Sequence, residues 1–162
     1  MARRGEREVD AEGWGIPAVL TTGAFVIHNV EELTGLPAWL ARLPLSVLLS
    51  ERTLSYAMAG LTVLVSLVLL GTRARPEHRL LRIMAAAVAG ALLANVASHP
   101  ILSALTRSYM PGTGTALALV LPAALWLLWS LPSPRLWPGM LGAVLMVPVL
   151  CLALFLASLI AG

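Results

Sequence analysis

The sequence predicts an all-α membrane protein, a bundle of five transmembrane helices, on three observations. The 162 residues are 59% hydrophobic and only 12% charged. The apolar residues gather into five runs, each near the roughly 20 residues a helix needs to cross a bilayer. Arginines crowd one short connection between runs, at Arg73, Arg75, Arg79 and Arg82. In lipid every backbone polar group must bond within its own segment, which runs of this length achieve as helices. One bundle uses up the length: a polar cytoplasmic tail over residues 1–13, then a single transmembrane domain over 14–162.

The tail mixes Arg3, Arg4 and Arg7 with Glu6, Glu8, Asp10 and Glu12 and is too polar to fold alone. No small-x-small site closes the first apolar run, which ends in carboxylates, so that run is expected to be retained rather than cleaved. The first span covers about 16–33, entered at Trp14 as an interfacial anchor. Residues 35–44 hold Pro37, Pro44 and Arg42 beside Trp39 and Leu40, which predicts an interfacial or re-entrant segment. The second span, about 53–70, carries no charge and reads as scaffold, with Gly60 suited to close packing. The third span, about 83–105, contains Asn95, His99 and Pro100, and a kink is expected at the histidine.

Tyr109-Met110-Pro111-Gly112 follows, with Pro and Gly in the central positions of a type II turn. Thr113 or Thr115 is suited to cap the fourth span, about 113–131, whose first N–H groups favour an anion such as a site carboxylate. The fifth span covers about 136–160, entered at Trp137 and interrupted at Pro148. Cys151, the single cysteine, lies within it, which excludes an intramolecular disulfide and a multi-cysteine metal site and reads as a small core residue.

All eleven basic residues are arginines, and the net charge is +3. Their loop placement explains that charge better than a nucleic-acid partner, and none is expected. The positive-inside rule puts the arginine-rich loop in the cytoplasm, with the amino terminus inside and the carboxyl terminus outside a bacterial cytoplasmic membrane.

His28-Asn29-Val30-Glu31-Glu32 stands apart, because ionisable side chains at membrane depth must find water, a partner or a metal. On a helix His28 shares a face with Glu31 and Glu32. At about 1.5 Å per residue, His28 lies about 18 Å and Glu32 about 24 Å into the first span; Asn95 and His99 reach the same depths in the third. The two pairs are therefore expected to meet near the outer face.

The HxxEE run, His99 preceded by Asn95, and the Tyr109-Met110-Pro111-Gly112 turn together resemble the HXXEE-motif family of small bacterial membrane proteins. The resemblance implies a site at these positions and no particular reaction.

His28, His99 and one of Glu31 and Glu32 form a ligand set suited to zinc or another divalent transition metal with a position open for water. The second carboxylate is then a general base or a further ligand, with Asn95, Tyr109, Gly112 and Thr113 orienting the ligands or binding substrate. This chemistry predicts metal-dependent hydrolysis of a lipid-like or peptide substrate. Without a metal, one glutamate held neutral by the other is expected to act as an acid on an isoprenoid-like substrate. A third reading is proton or divalent-cation transport, which five spans without repeats suit only as a homo-oligomer. The expected partners are the lipid bilayer and an apolar small molecule. His78, among arginines, is expected to be solvated.

Overall fold

The computed structural model describes residues 13–43 and 50–162. The predicted tail, except Gly13, and Pro44 lie outside the described residues. Those described form helices and no strand: α1 (Gly15–Leu40), α2 (Glu51–Ala74), α3 (Arg79–Thr106), α4 (Thr113–Ser130) and α5 (Leu136–Ala161). Four of them, α2 to α5, are long and apolar enough to cross a membrane. The 26 residues of α1 suffice in length, about 39 Å at 1.5 Å per residue. His28, Asn29, Glu31 and Glu32 lower its hydropathy.

The main departure from sequence expectation is that α1 runs through Pro37 to Leu40, so residues 35–40 form no separate re-entrant segment. Pro37 removes one backbone donor from the last turns, a cost that tertiary contacts offset. Tertiary contacts hold that turn: Trp39 is buried and its indole N–H donates to Ser108 Oγ at 2.9 Å. The helix α3 likewise continues through Pro100.

The helix α4 opens not on a threonine cap but on Gly112, at φ +90°. One π-helical turn, Ala116–Val120, precedes Pro122.

The helices pack in two buried layers. At the end where α1 begins, Trp14 and Ala18 meet Leu69, Ala85, Ala86, Leu127 and Leu131. Trp14 is thus a core residue, not an exposed interface anchor, whereas Trp129 and Trp137 are exposed. Higher up, Ala24, Phe25, Leu92, Val96, Ala116 and Val120 form the floor beneath the polar site. Thr21 Oγ1 donates to the Ala123 carbonyl at 3.0 Å, tying α1 to α4.

The most extensive contact is between α3 and α5. There the backbones touch: a Cβ on Gly90 would collide with the Gly139 carbonyl, and one on Gly142 with that of Ala87. Small residues permit such close approach in lipid. Gly60, expected to serve this purpose on α2, is exposed and faces open space. Cys151 is exposed on α5 rather than in the core.

Candidate functional site

The polar site is built on one stripe of α1. His28, Glu32, Gly35 and Trp39 recur at helical spacing and so share a face. Each meets a partner from the end of α3 or the turn after it. At successive heights His28 meets Asn95 (Nε2 to Nδ2, 3.3 Å) and Glu32 meets His99 (Oε1 to Nε2, 3.4 Å). Above them Gly35 meets Pro111, and Trp39 meets Ser108. The two lower pairings are those the depth count predicts.

His28 and His99 are fully buried, with ring centroids 4.8 Å apart and edge to face. Glu32 lies between them, with Oε2 at 3.8 Å from His28 Nε2. One donor atom from each of His28, Glu32 and His99 falls within 4.8 Å of the others, close enough to hold a metal ion. Among the described residues neither His99 nitrogen has a partner in hydrogen-bonding geometry, Glu32 approaching Nε2 without it. A buried polar atom of this kind calls for a further group, such as an ion or a water.

The turn after α3 closes the site from above. Arg107 ends α3 in a left-handed conformation, φ 51°. Ser103 Oγ then accepts from the Met110 N–H at 3.0 Å, and the Thr113 N–H reaches the Met110 carbonyl at 3.2 Å. This is the predicted Pro-Gly turn. Gly112 lies directly against the cluster: a Cβ there would come within 2.8 Å of Glu32 Cγ and His99 Cε1 and 2.9 Å of His28 Cε1. Thr113 only braces the turn, its hydroxyl donating to the Met110 carbonyl at 2.7 Å.

Glu31, expected among the ligands, is engaged elsewhere. Its Oε1 accepts from the Tyr109 hydroxyl at 3.0 Å; its Oε2 accepts from the Thr115 hydroxyl at 2.6 Å and from the Thr115 N–H at 3.3 Å. The first turn of α4 thus receives a carboxylate of the site itself, as helix N-termini favour. Desolvation, and after it the Glu31 carboxylate, raise the Tyr109 phenol above its ordinary pKa against the opposing Gly114 N–H. Tyr109 therefore remains an O–H donor at neutral pH.

Thr115, a residue sequence reasoning read only as a cap, fixes the tautomer of His28. Its hydroxyl lies 3.1 Å from His28 Nδ1. The single hydroxyl proton goes to Glu31 at 2.6 Å in preference to the Gly112 carbonyl at 3.2 Å, because charge-assisted bonds are shorter and stronger. The oxygen can then only accept, so His28 Nδ1 carries the proton. Its Nε2 is left with a lone pair facing Glu32 and Asn95, the arrangement found in metal-binding histidines. Asn29 is not part of this network and donates to Thr62 of α2 at 2.6 Å. Gly35 and Trp39 had a legible signal, their helical spacing from His28. Thr115 had none.

An apolar cavity of about 310 Å³ opens beside the cluster, between α1, α2, α3 and α5. Glu32 and Asn95 are its only polar side chains among the described residues, and Met58, Val65, Met84, Ala91 and Met146 contribute to its walls.

Comparison with curated proteins and with solved structures gives no match. A family model described as a protein of unknown function with HXXEE motif matches residues 19–127. Every residue of the cluster and its closing turn falls inside that match, whereas α5, one wall of the cavity, lies beyond it. With two-thirds of its length matched and His28, Glu31 and Glu32 standing where the motif requires, this chain belongs to the HXXEE-motif family.

Proposed function

We propose that this protein is a membrane-embedded metal-dependent hydrolase acting on a lipid-like substrate, with His28, Glu32 and His99 as the metal ligands. The observation that carries the reading is the convergence of two fully buried imidazoles and one carboxylate, with both His99 nitrogens left without hydrogen bonds among the described residues. Donors about 2.0–2.1 Å from a tetrahedral zinc stand about 3.4 Å apart. The two Glu32 oxygens lie 3.4 and 3.8 Å from the His99 and His28 nitrogens, and one donor from each residue falls within 4.8 Å of the others, so the set would close by about 1 Å at most around an ion.

Two imidazoles and a carboxylate leave a coordination position open, and zinc or a related divalent ion bound there would lower the pKa of a water and polarise a carbonyl. The chain's own residues do the rest. Thr115 and Glu31 hold His28 in the ligating tautomer. Asn95, which bonds His28 Nε2 and lines the cavity, would be free to donate to a substrate carbonyl were that nitrogen to hold the metal. Gly112 and the turn cover the cluster.

The same reading takes α1 as a fifth span, antiparallel to α2, in a bacterial cytoplasmic membrane with the amino terminus inside and the carboxyl terminus outside. The length of α1 and the clustering of arginines at the α2–α3 connection support it. The site then lies toward the outer face.

Metal-free acid catalysis by Glu32 is the second reading, favoured by that carboxyl group's place at the end of an apolar cavity. Elemental analysis of detergent-purified protein separates the two. One metal ion per chain, lost in His28→Ala and His99→Ala, is the expected result. Folded protein that takes up no metal even after added zinc or iron overturns the metal reading.

A further inference from the structure

We propose that the cavity beside Glu32 is a binding site for an extended alkyl chain, so that the substrate is an amphiphile with its polar group at Glu32 and Asn95. This deepens the reading of His28, Glu32 and His99 as the reacting centre and rests on it.

The polarity of the cavity is one-ended. Glu32 and Asn95 lie at the level of the cluster, and every other lining side chain among the described residues is apolar. From Asn95 the α3 wall extends down to Met84, eleven residues or about 16 Å at 1.5 Å per residue; the α2 wall from Met58 to Val68 covers about 15 Å. Both run toward the arginine-rich connection. The cavity of about 310 Å³ is drawn out over about 16 Å, a shape suited to an extended methylene chain. A peptide fits poorly, because among the described residues no lining side chain below the cluster can bond its backbone, and an unpaired amide buried in an apolar setting is costly. Three of the wall residues, Met58, Met84 and Met146, are methionines, whose unbranched side chains adapt to a flexible occupant.

The chain's position is testable by photolabelling of the full protein in phosphatidylcholine nanodiscs. The probes are dodecan-1-ols carrying a diazirine either beside the hydroxyl or at the terminal carbon, and labelled residues are read by mass spectrometry. The proximal probe is expected to label Met58 and Asn95, and the terminal probe Val68 and Met84. Terminal labels spread over the outward residues of α5, such as Leu152, Phe155 and Leu159, would show ordinary contact with bulk lipid and overturn the proposal. Ala91→Phe on α3 and, from the opposite wall, Val65→Phe on α2 are each expected to block the lower half. Deep labelling then falls by about fourfold for each methylene excluded, while a hexan-1-ol probe still labels Met58. Unchanged deep labelling in both variants also overturns it. Zinc content of the same preparations reports separately on the reacting centre. Deep labelling without zinc keeps the chain site and removes the metal reading, and zinc without deep labelling does the reverse.

Discussion

Gly112 lies over His99 so closely that a Cβ on the glycine would come within 2.8 Å of the imidazole Cε1. The same position has φ +90°, where an L side chain is strained by about 1–2 kcal/mol. Gly112→Ala is therefore expected to open the turn and abolish metal binding. Gly60→Ala, on an exposed surface with open space around it, is expected to leave metal content unchanged. Elemental analysis of the two variants side by side checks this; equal metal in both would mean that the turn does not close on the cluster.

The two adjacent glutamates are expected to behave differently. Glu32→Gln weakens a ligand and is expected to empty the site. In Glu31→Gln the carboxylate that orients Thr115 is lost, but the three ligands remain, so metal binds more weakly without disappearing. Zinc titration of both variants decides the assignment, and a reversed order would make Glu31 the ligand.

Thr115→Val keeps the shape of the side chain and removes the hydroxyl that accepts from His28 Nδ1. Loss of such a partner lowers metal affinity by about 10–100-fold, and that is the expected drop in a zinc titration. Thr115→Ser, which keeps the hydroxyl, is expected to restore most of the affinity. A Val variant that binds zinc like the wild type would leave the His28 tautomer set by something else.

The contact of α3 with α5 admits no side chain at Gly90 or Gly142. Gly90→Leu is expected to destabilise the bundle by more than about 3 kcal/mol, the upper end of overpacking costs, because the obstacle is backbone rather than a movable side chain. Gly60→Leu is expected to be neutral. Thermal unfolding in detergent distinguishes them, and similar melting temperatures would contradict the close approach of the two helices.

The polar half of the site was legible because depth along a helix is simple arithmetic. His28 with Asn95 and Glu32 with His99 needed only a common starting level and a constant rise. Gly35 and Trp39 share the same stripe, yet Pro37 between them argued for a broken chain. Contacts with Pro111 and Ser108, remote in sequence, hold the helix together through it. Sequence likewise marks which residues are glycines and not which of them touch another helix, so Gly60 was expected to pack closely whereas the contact falls at Gly90. Thr115 looked like a helix cap because threonines at a helix start commonly cap it; that Gly112 takes the start of α4 instead follows from how the turn closes on the cluster. The cavity was not legible at all, since its walls come from four helices and consist of residues ordinary in any membrane span.

The network on α1 also bears on how the protein is made. His28, Asn29, Glu31 and Glu32 leave the ribosome first, whereas Thr62, Asn95, Tyr109 and Thr115, which satisfy them, are synthesised later. A nascent α1 entering lipid alone would expose all four polar groups with no partner, at a cost of a few kcal/mol for each ionised one. With α1 taken as a span, as proposed above, order of synthesis and order of assembly would diverge: α1, translated before α2, α3 and α4, would be stable at membrane depth only once α2, α3 and the start of α4 are in place.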